Sequence, residues 1–227
     1  MIPTLILVLI RRYQKNNPQQ FLVLKAKLIP VMRVMFLVAI AFLLVLVTRA
    51  QEKKLTYTVK RNGNKIGHMY VREIRDGRSI SLKLHSDIKT SFIISFSAKG
   101  VEEAQYDSGL LVYSSVYQKL NGSEKLNKQL RYVNDSYVIS NNGKEERLHH
   151  KKIYYNLVCI YNHEPVASTA IYSDKYQKLL AIEKVQDHHY RIKFPDGSAN
   201  DYWFENGVCK KIKVNHTLYS SIMELNQ

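Results

Sequence analysis

The chain has 227 residues, with 34 Lys+Arg against 19 Asp+Glu for a formal net charge of +15, and 45% hydrophobic residues including 16 Tyr but only 2 Cys and 5 Pro. This composition excludes a disordered chain, a collagen-like chain and a disulfide-dense scaffold. The length suits one ordinary domain. The charge is unevenly spread. Residues 1–50 hold seven basic side chains and no acidic one, so residues 51–227 keep a surplus of eight positive charges. All 9 Gly, both Cys and all 8 His also follow residue 50.

Residues 34–47 are an uninterrupted apolar run preceded by Arg33. Fourteen residues suit the core of a signal peptide and fall short of the roughly 20 that a spanning helix needs. Thr48 and Ala50 place small side chains at −3 and −1 of a cut between residues 50 and 51, which leaves Gln51 as the new N-terminus. The expected organisation is therefore an extension plus signal peptide over 1–50 and a single domain over 51–227. An uncleaved membrane anchor is the alternative. A second apolar run, Ile2 to Ile10, precedes Arg11 and Arg12. Met32 and Met35 are alternative starts to Met1, each giving a leader of ordinary length.

After residue 50 the chain reads as strands and tight turns. Asn62-Gly63, Asp76-Gly77, Asn121-Gly122, Asn142-Gly143, Asp196-Gly197 and Asn206-Gly207 are turn dipeptides that accept the positive φ of hairpin turns. Between them the sequence alternates with period two. Leu55, Tyr57 and Val59 oppose Thr56, Thr58 and Lys60, and Tyr190, Ile192 and Phe194 oppose Arg191 and Lys193. Phe92, Ile94 and Phe96 alternate likewise with Ile93, Ser95 and Ser97. The spacing predicts strands over 54–61, 65–75, 78–87, 91–98, 101–106, 110–119, 126–133, 136–141, 179–186, 188–194, 200–205, 208–216 and 218–225. Ile153, Leu157 and Ile160 predict one short helix over 153–161. Thirteen strands exceed a comfortable flat sheet, so the expected fold is all-β: an antiparallel, strongly curved meander closing or nearly closing into a barrel. A two-sheet sandwich is the alternative.

The stretch Tyr57-x-Val59-x-Arg61-Asn62-Gly63-x-x-Ile66-Gly67 resembles the start of an uncharacterised family of exported, β-rich proteins of Bacteroidota. Leu120-Asn121-Gly122, Glu164-Pro165, Ile171-Tyr172-Ser173, Phe194-Pro195-Asp196-Gly197 and Gly207-Val208-Cys209 extend the resemblance across most of residues 55–225. It implies an export signal and a β-rich fold. The family is a domain of unknown function, so it implies no activity and no catalytic residue.

The residues themselves supply no recognised catalytic set. No H-E-x-x-H, G-x-S-x-G or phosphate-binding glycine loop occurs. Adjacent His188 and His189 on a regular strand diverge, as do Glu102-Glu103 and Glu145-Glu146. His149-His150 reads as solvated loop. No metal or cofactor is therefore expected. Cys159 and Cys209 are permitted to bridge in an oxidising compartment, and two separate thiols are the alternative. Tyrosine joins a flat apolar body to a polar tip and suits sugar, lipid or peptide surfaces. Tyr113, Tyr117, Tyr154, Tyr161 and Tyr172, with Glu164, form the candidate ligand set, against which stands simple packing. Arg191, Lys193, Lys211 and Lys213 are expected on one exposed face, either as an attractor of anionic envelope lipids or glycans or as a solubilising surface.

The resulting expectation is an exported protein, periplasmic or secreted, or membrane-anchored if uncleaved. Its leader engages the membrane during export, and nucleic acid is excluded as a partner by compartment. The role read from the sequence is a non-enzymatic binding or carrier module for an apolar or amphipathic ligand held in the curved sheet. The alternatives are an envelope assembly partner and a hydrolase of envelope lipid, glycan or peptide. A histidine in hydrogen-bond reach of Glu164 or Asp174 within a cleft favours the hydrolase.

Overall fold

A computed structural model describes Arg12, Lys15, Asn16 and residues 18–46, 50–90, 96–141, 143–148, 152–216 and 219–226. It divides into two units, Met1–Arg49 and Ala50–Gln227. In the first, helix α1 runs Pro18–Leu46 with Pro30 inside it. Among the described residues no helix is long and apolar enough to cross a membrane. The Ile2 to Ile10 run, Thr48 and the His149-His150 pair lie outside the described residues.

The second unit is one antiparallel sheet of fourteen strands. They are β1 Gln51–Arg61, β2 Asn64–Asp76, β3 Ser79–Thr90, β4 Phe96–Asp107, β5 Leu110–Leu120, β6 Ser123–Val133, β7 Ser136–Asn141, β8 Lys144–Leu148, β9 Ala170–Ser173, β10 Lys178–Gln186, β11 His189–Lys193, β12 Ala199–Glu205, β13 Val208–Asn215 and β14 Ser220–Leu225. Their order is β8-β7-β6-β5-β4-β3-β2-β1-β14-β13-β12-β11-β10-β9. Every neighbour is sequential except β1 with β14, where Tyr57 faces Leu225 and Val59 faces Met223. The two terminal strands thus join two meanders in mid-sheet.

Turn chemistry explains the regularity. Asn62/Gly63, Asn121/Gly122 and Asn206/Gly207 have positive φ at both positions, as a two-residue hairpin turn with matching twist requires. Ser108/Gly109 and Asn134/Asp135 do the same without being flagged by the sequence. Gly67 has a different task. A Cβ there meets the Asp87 carbonyl oxygen at 2.2 Å and the Ile88 Cα at 2.8 Å, so the β2 and β3 backbones approach as only glycine allows.

Four local expectations need correction. The separate strands at 91–98 and 101–106 are one strand from Phe96 on, continuous through Gly100, which pairs with Ser86 and Gln118; residues 91–95 lie outside the described residues. β8 is an additional strand, and so is β9. The helix predicted over 153–161 is a single 3-10 turn, Cys159–Tyr161. Its upstream residues instead bridge a sheet edge: Tyr172 N donates to Tyr155 O at 2.9 Å and Leu157 N to Tyr172 O at 3.0 Å.

The core lies on the inner face of the curve. Tyr57, Val59, Met69, Leu82, Ala104, Leu111, Leu130, Tyr137, Ile192, Tyr202 and Ile212 bury there. So do Ile153, Val158, Cys159 and Ile160 of the connection from β8 to β9. That connection is a plug through the interior, and tyrosine hydroxyls satisfy its irregular backbone. Ile153 N donates to the Tyr137 hydroxyl at 2.9 Å, which donates to Leu111 O at 3.1 Å. Asn156 N donates to the Tyr106 hydroxyl at 3.1 Å.

The two ends of the sheet do not meet edge to edge. Asp174, just after β9, accepts from Ser114 Oγ of β5, and Lys128 Nζ of β6 donates to Lys175 O at 2.9 Å. The β9–β10 turn therefore lies against the inner face of β5 and β6, and the sheet overlaps itself.

Three substitutions test this architecture in urea unfolding. Gly67→Ala is expected to cost about 2–3 kcal/mol through the backbone clash, and Gly63→Ala, which meets open space, about 1 kcal/mol from its positive φ alone. Tyr137→Phe, which strands two buried backbone groups, is expected to cost about 2 kcal/mol; a loss under about 0.5 kcal/mol counts against hydroxyl-held plugging.

Candidate functional site

The six-residue ligand set suggested by the sequence does not converge. Tyr113 and Tyr117 lie on the outer face of β5, opposite in parity to buried Ser114 and Val116. Tyr154 is exposed. Tyr161 packs edge-to-face on Tyr57 at 5.8 Å, and Tyr172 is 1% exposed within the core. Glu164 sits at the rim. Where a carried ligand would lie inside the curve, the plug and its tyrosines are packed.

The two cysteines are free thiols turned to different partners. Cys159 Sγ donates to the Tyr106 hydroxyl at 3.1 Å, and Cys209 Sγ to Lys211 O at 3.5 Å. Burial pushes the Cys159 thiol up to about 11, so it stays protonated and unreactive.

The rim joins plug to barrel through two histidine–carboxylate pairs. His163 Nε2 lies 2.9 Å from Glu73 Oε2, and Glu73 is 2% exposed. His188 Nδ1 lies 3.0 Å from Glu164 Oε1, which also accepts from the Tyr190 hydroxyl at 3.0 Å. A histidine does reach Glu164, then, and that much is common with an acid–base site. The same residue also donates its N–H to Gly207 O at 3.1 Å, and its neighbour's carbonyl accepts from the Tyr155 hydroxyl. These contacts fasten residues 163–164 to β12–β13 and to β2. His188 is in the turn at φ +58°, and His189 begins β11.

Arg191, Lys193, Lys211 and Lys213 share the outer face of β11–β13. In register, Arg191 faces Asp201, which faces Lys213, and His189 faces Trp203, which faces Lys211. Asp201 is the centre of this face and was not singled out in the sequence. It is 2% exposed and accepts from Arg191 Nε at 2.8 Å, from Asn215 Nδ2 at 3.0 Å, and lies 3.0 Å from His189 Nε2. Burial raises its carboxyl, but the Arg191 and His189 contacts outweigh this and hold it below the usual range. His189 stacks on Trp203 at 4.4 Å, and Lys211 Nζ lies 5.3 Å from that ring's centroid. Lys193 pairs with Glu183 at 3.1 Å. The arrangement presents fixed cations beside an aromatic ring and can attract an anion.

The interior holds a second polar cluster. Asp174 accepts from Ser114 Oγ and from Asn156 Nδ2 at 3.1 Å, and Asn156 Oδ1 accepts from the Tyr106 hydroxyl at 2.9 Å. Burial pushes the Asp174 carboxyl up to about 6 against these hydrogen bonds. Glu102 shares the inner row of Leu84, Val116 and Lys128. Burial, and next the Asp174 charge, push it up to about 7. Among the described residues no three His, Cys, Asp or Glu side chains gather as a metal centre.

These carboxyls set opposite pH trends. Asp174 and Glu102 are raised in the fold, so their stabilising contribution is complete below pH ~4 and is lost as pH rises through about 6 and 7. Glu73, Asp196 and Asp201 are depressed, so theirs is present above pH ~4 and lost in stronger acid. Thermal unfolding from pH 3 to 8 is expected to show maximum stability near pH 4–5, falling by on the order of 3 kcal/mol toward pH 7.5. A maximum at or above pH 7 contradicts the interior assignment.

Residues 57–226 match the family described as domain of unknown function DUF6134. Among curated proteins none matches the chain. A solved structure from Brucella abortus, a beta-barrel-like protein of domain of unknown function DUF1849, aligns with a TM-score of 0.49 at 9% identity, over 78% of this chain and 96% of that one. The tyrosine-held plug and the overlapping fourteen-stranded sheet fall within the matched span, and the chain belongs to the DUF6134 family.

Proposed function

We propose that the protein is exported and acts in the cell envelope as a non-enzymatic binding module for an anionic, amphipathic ligand, taken on the outer face of β11–β13. One observation carries this reading: Arg191, Lys193, Lys211 and Lys213 share a single outer face around a buried carboxylate that fixes the guanidinium of Arg191. Tight turns on either side of β12 hold these strands in register, so the cations do not need to be ordered when a ligand arrives. The apolar run at 34–47 following Arg33 supports export with a cut before Gln51 and a periplasmic or secreted product. A Bacteroidota source accords with the motifs of residues 57–67. The packed interior favours surface contact over carriage within the sheet.

Two measurements test the reading. Intact-mass analysis of the protein recovered from cells is expected to find Gln51 at the N-terminus; a persistent residue 1–50 segment rejects cleavage. Residues 51–227 are expected to cosediment with phosphatidylglycerol vesicles and not with phosphatidylcholine vesicles, and to dissociate in high salt. The Lys211→Ala/Lys213→Ala variant is expected to bind about 30-fold more weakly, from ~1 kcal/mol per basic residue near an anionic surface. Equal binding by the variant and the parent rejects the proposed face.

A further inference from the structure

The overlap of the sheet carries a feature that ligand binding on the outer face does not use. The β9–β10 turn lies against the inner face of another part of the sheet, through Ser114 with Asp174 and Lys128 with Lys175. Its backbone is constrained: Gln177 stands at φ +55°, with its N–H donating to Ser173 O at 2.7 Å. The buried Gln177 Nε2 has no hydrogen-bond partner among the described residues. Asp174, Gln177 and Lys128 line a shallow depression with apolar Leu130, Ile139 and Tyr172. A strained turn, an unpartnered amide and a buried carboxylate thus occur together along one seam.

The groups facing Asp174 come from every layer around it. From β4 come Glu102, which interacts with Asp174 electrostatically, and the Tyr106 hydroxyl, linked through Asn156. From β6 comes Lys128, whose Nζ is committed to Lys175 O. The plug contributes the protonated thiol of Cys159, and β9 contributes Tyr172. On the turn itself Lys175 and Tyr176 contact Asp196, between β11 and β12, and the Lys175 charge also acts on Glu102, where it opposes part of the upward push. No ammonium or guanidinium is in ion-pair contact with Asp174 or Glu102 among the described residues. Two carboxyls therefore share one interior without a bound countercharge.

We infer that the β9–β10 turn is a proton-controlled latch: protonated Asp174 and Glu102 hold it against β5 and β6, and ionisation of both loosens it and opens the overlap of the sheet. Both groups gain hydration when the turn lifts. The energy comes from like-charge repulsion and from burial of charge, and Ser114 and Asn156 offset it only in part. The ordinary carboxyl range lies near pH 4, and burial holds Asp174 at about 6 and Glu102 at about 7. Opening therefore rises between those limits and levels off above pH 7. A shift of two units corresponds to roughly a hundredfold change in the opening equilibrium.

The experiment is amide hydrogen exchange on the full-length protein in detergent from pH 4.5 to 7.5, corrected for intrinsic rates, reading Tyr176 and Gln177. The expected result is a rise of roughly 1,000-fold in opening for the wild type, since both groups contribute, with amides of β2 and β12 showing no comparable change. Asp174→Asn, which keeps acceptor and donor for Ser114, is expected to cut the rise below about 100-fold, and Glu102→Gln to cut it by a similar factor. Should Asp174→Asn destabilise the fold, Glu102→Gln remains the deciding variant, since the carboxamide is isosteric and Glu102 makes no hydrogen bond on the seam among the described residues. Opening that does not change with pH in the wild type overturns the latch. So does opening that is greater in both variants at every pH yet keeps the wild-type slope, which marks a merely structural role.

Discussion

One constraint governs the unit after residue 50. The chain leaves the sheet at β8 and re-enters at β9, the two outermost strands, and the connection between them buries Ile153, Val158, Cys159 and Ile160 in the core. Irregular backbone in a dry core leaves N–H and C=O groups that must find partners, since each orphan costs about 1–3 kcal/mol. Strand backbone serves only some of them, through Leu111 N to Ile153 O at 2.8 Å and the bridge of Tyr172 with Tyr155 and Leu157. Tyrosine can serve others, since it fills core volume and ends in a hydroxyl that both donates and accepts. Tyr137 joins Ile153 N to Leu111 O, Tyr106 serves Asn156 twice, and Tyr57 reaches Cys209 O at 2.8 Å. Phenylalanine would fill the same space and leave the plug unsatisfied. The tyrosine richness therefore records how the connection is held, more than how a ligand is met.

The legible part of the fold is the part with a local cause. Asparagine–glycine turns and period-two alternation act over a few residues, and they place eleven of the strands. The parts that escaped have no such signature. In β8, Lys144 to Arg147 are all exposed, so nothing alternates. In β9, Ile171, Tyr172 and Ser173 are all buried because the overlap covers both faces, so again nothing alternates. Ile153, Leu157 and Ile160 have helical spacing but bury for another reason, as they cross a core that surrounds them. A residue enclosed on every side shows hydrophobicity without a period.

The same distinction separates the candidate residues. Arg191, Lys193, Lys211 and Lys213 were legible as one face because register follows from the short turns that join their strands. Asp201 was not, since a carboxylate on the polar side of a strand reads as solvated. Its burial arises from its neighbours: a guanidinium, an imidazole and an amide close over it, and Trp203 flanks the imidazole. Glu73 was likewise hidden, as an acid on an otherwise apolar inner row. A long-range partner, His163, ninety positions away, makes that placement tolerable.

The acids of this domain thus divide by what the chain's connectivity brings to them. Glu73, Asp196 and Asp201 meet arginine, lysine or histidine and are held below the usual carboxylate range. Asp174 meets a hydroxyl and an amide across the overlap, which satisfy lone pairs but neutralise no charge. Hydrogen bonds of that kind reduce the penalty of burying a carboxylate and do not remove it. The overlap is accordingly the place where the fold's own geometry opposes the charge state that neutral water favours. Glu73 at the rim is held ionised below the range in which the seam carboxyls lose their protons. A change of pH near neutrality is therefore felt at the β9–β10 turn before it reaches the fastening of the plug.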